Sequence, residues 1–99
     1  MSIYLLRERA EADLADIWRY TAQRWSVAQA DKYYHELVEA LGALASQPAL
    51  GRPCDETRAG YRRHNVGSHV VFYLNAGDDV DVVRILHARR DFRRHLPSA

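Results

Sequence analysis

The sequence predicts an α+β fold ordered β-αα-βββ with a short C-terminal helix, in which a helical hairpin packs on an antiparallel sheet. Three observations predict it. Two apolar stripes of helical period run from Ala10 to Trp25 and from Ala30 to Leu44, with almost no chain between them. After Gly60 the period changes, and three strand-like runs rich in Val, Ile, Leu, Phe and Tyr follow. Between the first two of those runs stands Gly67-Ser68, a two-residue hairpin turn of the glycine-first type.

Each element has its own signal. Residues 3–7 are short and apolar and read as a strand. Ala10, Leu14, Ile17, Trp18, Thr21 and Trp25 then recur at three- and four-residue steps, marking one face of a helix. Glu8, Glu11, Asp13 and Asp16 crowd its first half, where carboxylates favour the helix dipole. Ser26-Val27-Ala28-Gln29 has the form of a capping box opening a second helix. Its stripe is Ala30, Tyr34, Leu37, Leu41 and Leu44, and so short a connection makes the two helices antiparallel. Pro48 ends the second helix, and residues 48–60, with Gly51 and Pro53, read as one long irregular loop. Strands are expected over residues 61–66, 69–74 and 80–87, with a second turn at 75–79. Residues 90–96 have room for one or two helical turns before Pro97. Most of Trp18, Tyr20, Trp25, Tyr33 and Tyr34 is expected in the core. Tyr33 and Tyr34 stand about 100° apart on a helix, so one of them reaches the surface or a partner.

Composition bounds the class. Ninety-nine residues are one domain's worth, so residues 1–99 read as a single domain. Apolar residues at 47% and charged residues at 27% are globular values and argue against a disordered chain. The one cysteine, Cys54, has no partner for an intrachain disulfide or a zinc cluster. The apolar stretch from Ile3 is broken at Arg7-Glu8-Arg9, too short for a signal or a membrane span. A cytoplasmic protein without membrane association is expected.

The five histidines include no i,i+4 pair and no HExxH, so no metal site is expected. GxSxG and phosphate-cradling glycine loops are also absent, and no cofactor is expected. Nothing in the sequence places a histidine beside Cys54, which reads as a plain loop cysteine. Arginine carries the stronger signal. Net charge is only +1, yet residues 1–50 hold five Lys/Arg against seven Asp/Glu, and residues 51–99 hold nine arginines against six acids. Lys32 is the sole lysine. Arginine's planar fork suits defined contacts, whereas diffuse attraction to nucleic acid recruits lysine too and a strongly positive total. A protein partner is therefore expected, and no direct specific binding to nucleic acid.

Arg62-Arg63 fall on the first hairpin strand, and Arg84 lies amid Val82, Val83, Ile85 and Leu86. An arginine there needs a partner carboxylate or an exposed cleft. Arg89, Arg90, Arg93, Arg94 and His95 follow and form the expected target-binding surface. The plain alternative is a solvated face with ion pairs, such as Arg90 or Arg94 with Asp91.

Taken in order and spacing, several segments resemble the ParE/RelE superfamily of bacterial toxin–antitoxin modules, and ParE-type toxins in particular. They are residues 12–20 (ADLADIWRY), 29–33 (QADKY), 44–48 (LASQP) with Gly51-Arg52, 60–63 (GYRR), 69–73 (HVVFY) and 83–91 (VRILHARRD). The resemblance spans nearly the whole chain and implies the fold derived above. ParE-like members poison DNA gyrase, and RelE-like members cut messenger RNA on the ribosome. The first activity implies a non-enzymatic inhibitor neutralised by a ParD-like antitoxin in a hetero-oligomer. The antitoxin is then expected near Tyr33, Arg62 and Arg84. The second activity implies Arg62, Arg89 and His95 as catalytic residues, holding phosphates and handling the 2′-OH proton. Against it, the loop carries Asp55-Glu56 where RelE-like enzymes have lysines, and a near-neutral chain is a poor match for ribosomal RNA. A domain that mainly binds its antitoxin and adjusts operon repression is the third reading.

Overall fold

The computed structural model describes residues 2–99. Strand β1 (Tyr4–Leu6) leads into helices α1 (Glu8–Arg24) and α2 (Val27–Ser46), and a 3-10 turn covers Pro48–Leu50. Strands β2 (Arg52–Pro53), β3 (Arg62–Val66), β4 (His69–Ala76) and β5 (Asp79–His87) follow, and then the single-turn helix α3 (Phe92–His95). The predicted α+β class and element order are observed, with three differences. The sheet, ordered β1-β5-β4-β3-β2, is mixed, because β1 pairs parallel with β5 while every other pair is antiparallel. The helical hairpin between β1 and the later strands is a crossover that returns the chain in the same direction. The loop over residues 48–60 is partly ordered, holding the 3-10 turn and β2. The second turn is shorter than expected, with Gly77-Asp78 joining the paired Ala76 and Asp79.

The local signals act as read. Ser26 Oγ accepts the Gln29 N–H at 3.0 Å and caps α2. Gly67, at φ 54°, turns the β3–β4 hairpin, and a Cβ there would lie 2.8 Å from the Tyr33 ring. The aromatic expectation is corrected. None of the five hairpin aromatics is fully buried: Tyr20 and Trp25 are 65% and 70% exposed, Tyr34 is exposed, and Trp18 and Tyr33 are half-buried. Small and branched residues, Ala10, Leu14, Ile17, Leu37, Leu41 and Leu44, fill the contact with the sheet, leaving the larger rings on the flanks. Trp18 Nε1–H instead ties the helices together by donating to Asp31 Oδ1 at 2.9 Å.

The sheet is buried on both faces. Val71, Tyr73, Val80, Val82 and Ile85 meet the helices. Val70, Phe72, Val83 and Leu86 form a second core with Cys54 and Tyr61, closed by Phe92 and Leu96 of the C-terminal tail. A register irregularity opposite Phe72 and Tyr73 inserts Val83 as an extra residue, so that Arg84 pairs with Phe72 and Val82 with Tyr73.

Candidate functional site

Three of the residues singled out by sequence tie separate elements of the fold together. Arg84 is only 8% exposed, and its guanidinium grips Asp13 of α1 with two bonds, Nε to Oδ2 at 2.8 Å and Nη2 to Oδ1 at 2.9 Å. The same carboxylate accepts the Ile85 N–H at 2.9 Å, beyond the point where β1 stops pairing with β5. This is the carboxylate that an arginine among Val and Ile requires. The bond to Asp13 raises the guanidinium pKa above its ordinary value, so it stays charged.

Tyr33 is a clasp between α2 and the β3–β4 turn. Its oxygen accepts the Ser68 N–H at 3.2 Å, and the phenol also lies 3.0 Å from Val66 O and 2.6 Å from His69 Nδ1. Burial pushes its pKa up. His69 goes the other way. Desolvation, and then the neighbouring His87 ring at 5.4 Å between centroids, lower its pKa to about 4, so it is neutral at physiological pH.

Arg62 is likewise bonded within the chain, donating from Nε to Gly51 O at 3.1 Å and from Nη2 to the Gly51 and Ala49 carbonyls. It pairs across the ladder with Tyr73, whose side chain belongs to the helix-side core, whereas Arg63 pairs with Phe72 on the tail side. Strand alternation therefore turns Arg62 away from the tail. Among the described residues no hydrogen bond joins Arg62 to Arg89 or His95, the residues named by the nuclease reading. Of the antitoxin residues, Tyr33 and Arg84 border neighbouring grooves that share Tyr20, His69 and His87, and Arg62 lines neither.

The tail is docked, and sequence reasoning missed what docks it. Tyr61 Oη donates to Pro97 O at 2.8 Å and Arg58 Nε to Leu96 O at 3.0 Å, while Leu96 is 2% exposed. Arg63 places its guanidinium over Phe72 and Phe92, with Cζ 5.8 and 5.1 Å from the ring centroids. At the start of the tail the Ala88 N–H donates to Ser68 O at 2.9 Å, and the Arg89 N–H to His87 Nδ1 at 3.1 Å. The signal for this docking was available: β4 and β5 are apolar at consecutive positions, which a strand covered on one face does not need.

On this support Arg89, Arg90, Arg93 and Arg94 are all exposed. Among the described residues none of them pairs with a carboxylate, so the ion pairs with Asp91 are not made. His95 is half-exposed, with Nε2 3.3 Å from Arg90 Nη2. Partial shielding from water, then the charges of Arg90, Arg84 and Arg94, lower its pKa. Cys54 is fully buried in the second core, where burial raises its thiol pKa and keeps it unreactive. Among the described residues no three His, Cys, Asp or Glu side chains group to hold a metal, and no helix is long and apolar enough to cross a membrane.

The chain is similar to known proteins. Residues 4–92 match the family described as "ParE toxin of type II toxin-antitoxin system, parDE". Toxin ParE1 of Mycobacterium tuberculosis is 48% identical over 96 residues, covering 96% of this chain and 98% of the relative. Toxin ParE1 of Caulobacter vibrioides is also 48% identical over 96 residues, covering 97% of this chain and 99% of that protein. Toxin ParE of Escherichia coli is 36% identical over 97 residues, covering 97% and 94%. A solved chain from "Chromosomal ParDE TA system from P. aeruginosa" shares the fold at TM-score 0.79 and 21% identity, covering 88% of this chain and 96% of its own. Full-length matches to several ParE toxins, on the fold that the sequence predicts, place the chain in the ParE toxin family of type II toxin–antitoxin systems.

Proposed function

We propose that this toxin inhibits DNA gyrase in the bacterial cytoplasm as a protein inhibitor rather than an enzyme, engaging it through Arg89, Arg90, Arg93, Arg94 and His95. One observation carries the reading: a docked tail holds four arginines outward, and among the described residues no carboxylate pairs with them. Arginines without partners, on a backbone already ordered, meet an acidic protein surface at small entropic cost. That Arg62 bonds backbone carbonyls, and no hydrogen bond among the described residues joins it to Arg89 or His95, weighs against the ribosome-dependent nuclease.

A ParD-like antitoxin neutralises the toxin by forming a hetero-oligomer with it. The surface that suits it runs past exposed Tyr20 and Trp25, the Tyr33 clasp and the groove floored by His69, His87 and Arg84. Exposed aromatics beside an arginine are the residue types that dominate protein interfaces. The reading is tested by adding purified toxin to a gyrase supercoiling reaction, with and without antitoxin. Inhibition relieved by antitoxin is the expected result. Unimpaired supercoiling, with site-specific cleavage of translated messages in cells, would transfer the function to the nuclease.

A further inference from the structure

The groove of about 680 Å³ between the start of α1 and the tail differs in character from the rest of the surface. Six arginines line it: Arg7 and Arg9 from the start of α1, Arg58 from the loop before β3, Arg84 from β5, and Arg93 and Arg94 from α3. Asp81 pairs with Arg7 and Asp13 with Arg84, and Glu8 is the one carboxylate in the lining, so three positive charges remain uncompensated. Arg58 gives its Nε–H to Leu96 O, and Arg9, Arg93 and Arg94 have no partner among the described residues. The rest of the lining is His95, the exposed Pro97, and the outer edges of Val83 and Leu96, which are 2% exposed.

We propose that this groove is a binding site for a small molecule carrying a di- or triphosphate, with its phosphates on the arginines. The volume lies within the range of about 300–1,000 Å³ of small-ligand pockets. Charge selects the class. One carboxylate satisfies one guanidinium fork, whereas a di- or triphosphate offers several charges to three arginines drawn from separate elements. The site stands whether or not gyrase is the target; because Arg93 and Arg94 belong to both surfaces, a bound polyphosphate would compete with the target.

The test is titration of the purified protein with ATP, inorganic tripolyphosphate, a short single-stranded DNA oligonucleotide and a polyglutamate peptide, followed by amide NMR shifts and calorimetry. Saturable binding of ATP and of tripolyphosphate that moves the amides of Val83, Arg93, Arg94 and Leu96 is expected, with the two affinities within about threefold of each other because the phosphates carry the binding. Arg9→Gln combined with Arg94→Gln should weaken ATP by about tenfold or more with unchanged thermal unfolding, and Arg19→Gln, elsewhere on α1, should not. Either ATP failing to saturate, or only the oligonucleotide or the peptide shifting those amides, overturns the proposal. So does ATP binding that ignores the Arg9 and Arg94 changes.

Discussion

Arg84 and Arg94 stand ten residues apart in the chain and in opposite situations. Arg84 lies under α1 with both ends of its fork on Asp13, shielded from water, and its charge is answered within the fold. Arg94 rides on a single helical turn, exposed and without a carboxylate. The contrast extends to the regions around them. On the helix side Arg62 bonds backbone carbonyls, and beneath the tail Arg63 and Arg58 stack or bond against it, so these arginines act as structural ties. The tail's outer surface gathers the arginines that, among the described residues, pair with no carboxylate. Charge count alone cannot separate the two groups; burial and partners can. The region to mutate for stability is the first, and the region to mutate for function is the second.

The sharpest way to break this comparison is Asp13→Ala, which leaves Arg84 charged and unpaired and strands the Ile85 N–H. A loss of about 3–5 kcal/mol is expected in urea unfolding. Asp13→Ala with Arg84→Met should recover much of it, since a buried pair is costly chiefly when broken. A loss below about 1 kcal/mol for the single change would mean that the pair is solvated and the contrast false.

Next in size is Leu96→Ala, which removes the anchor of the tail from the second core. A cost near the lower end of about 2–5 kcal/mol is expected, with faster amide exchange across residues 90–97 while α2 keeps its protection. If those amides exchange at the unfolded rate already in the wild type, the platform beneath the arginines is not there.

A smaller effect follows from His69. Its folded pKa of about 4 lies below the ordinary 6.5, so between those values the unfolded chain binds more protons. Stability is then full above pH 6.5 and declines as pH falls toward 4. Because the ring is partly open to solvent, the decline is held to about 1–2 kcal/mol. His69→Gln should flatten that part of the profile, and an unchanged slope would assign it to other groups.

The smallest effect on stability belongs to the tail. Arg89→Glu with Arg93→Glu should shift unfolding by no more than about 0.5 kcal/mol, as for surface changes without partners. A larger loss would place these arginines among the structural ties.

Most of the fold was legible because its signals are local. Apolar period, the Ser26 cap and the Gly67-Ser68 turn depend on neighbours in the chain, and each falls where it was read. The direction of β1 was not legible, since parallel pairing with β5 joins residues far apart in sequence. Nor were the aromatic flanks: helical spacing put Tyr34 and Trp25 on the apolar stripes, and only packing shows that leucine and isoleucine fill the contact. At the site, the need for a carboxylate at Arg84 could be deduced from its apolar neighbours, but Asp13 stands 71 residues away. Which of Arg62 and Arg63 faces the tail was likewise hidden, because a one-residue choice in strand register exchanges the two.

The central claim, that the unpartnered tail arginines are the effector surface, is tested most directly by one comparison. Gyrase supercoiling is measured against increasing wild-type toxin and against the Arg89→Glu, Arg93→Glu variant with its fold verified. Inhibition by the wild type and a rise of about tenfold or more in the concentration the variant needs are predicted. Equal inhibition by both proteins would contradict the claim.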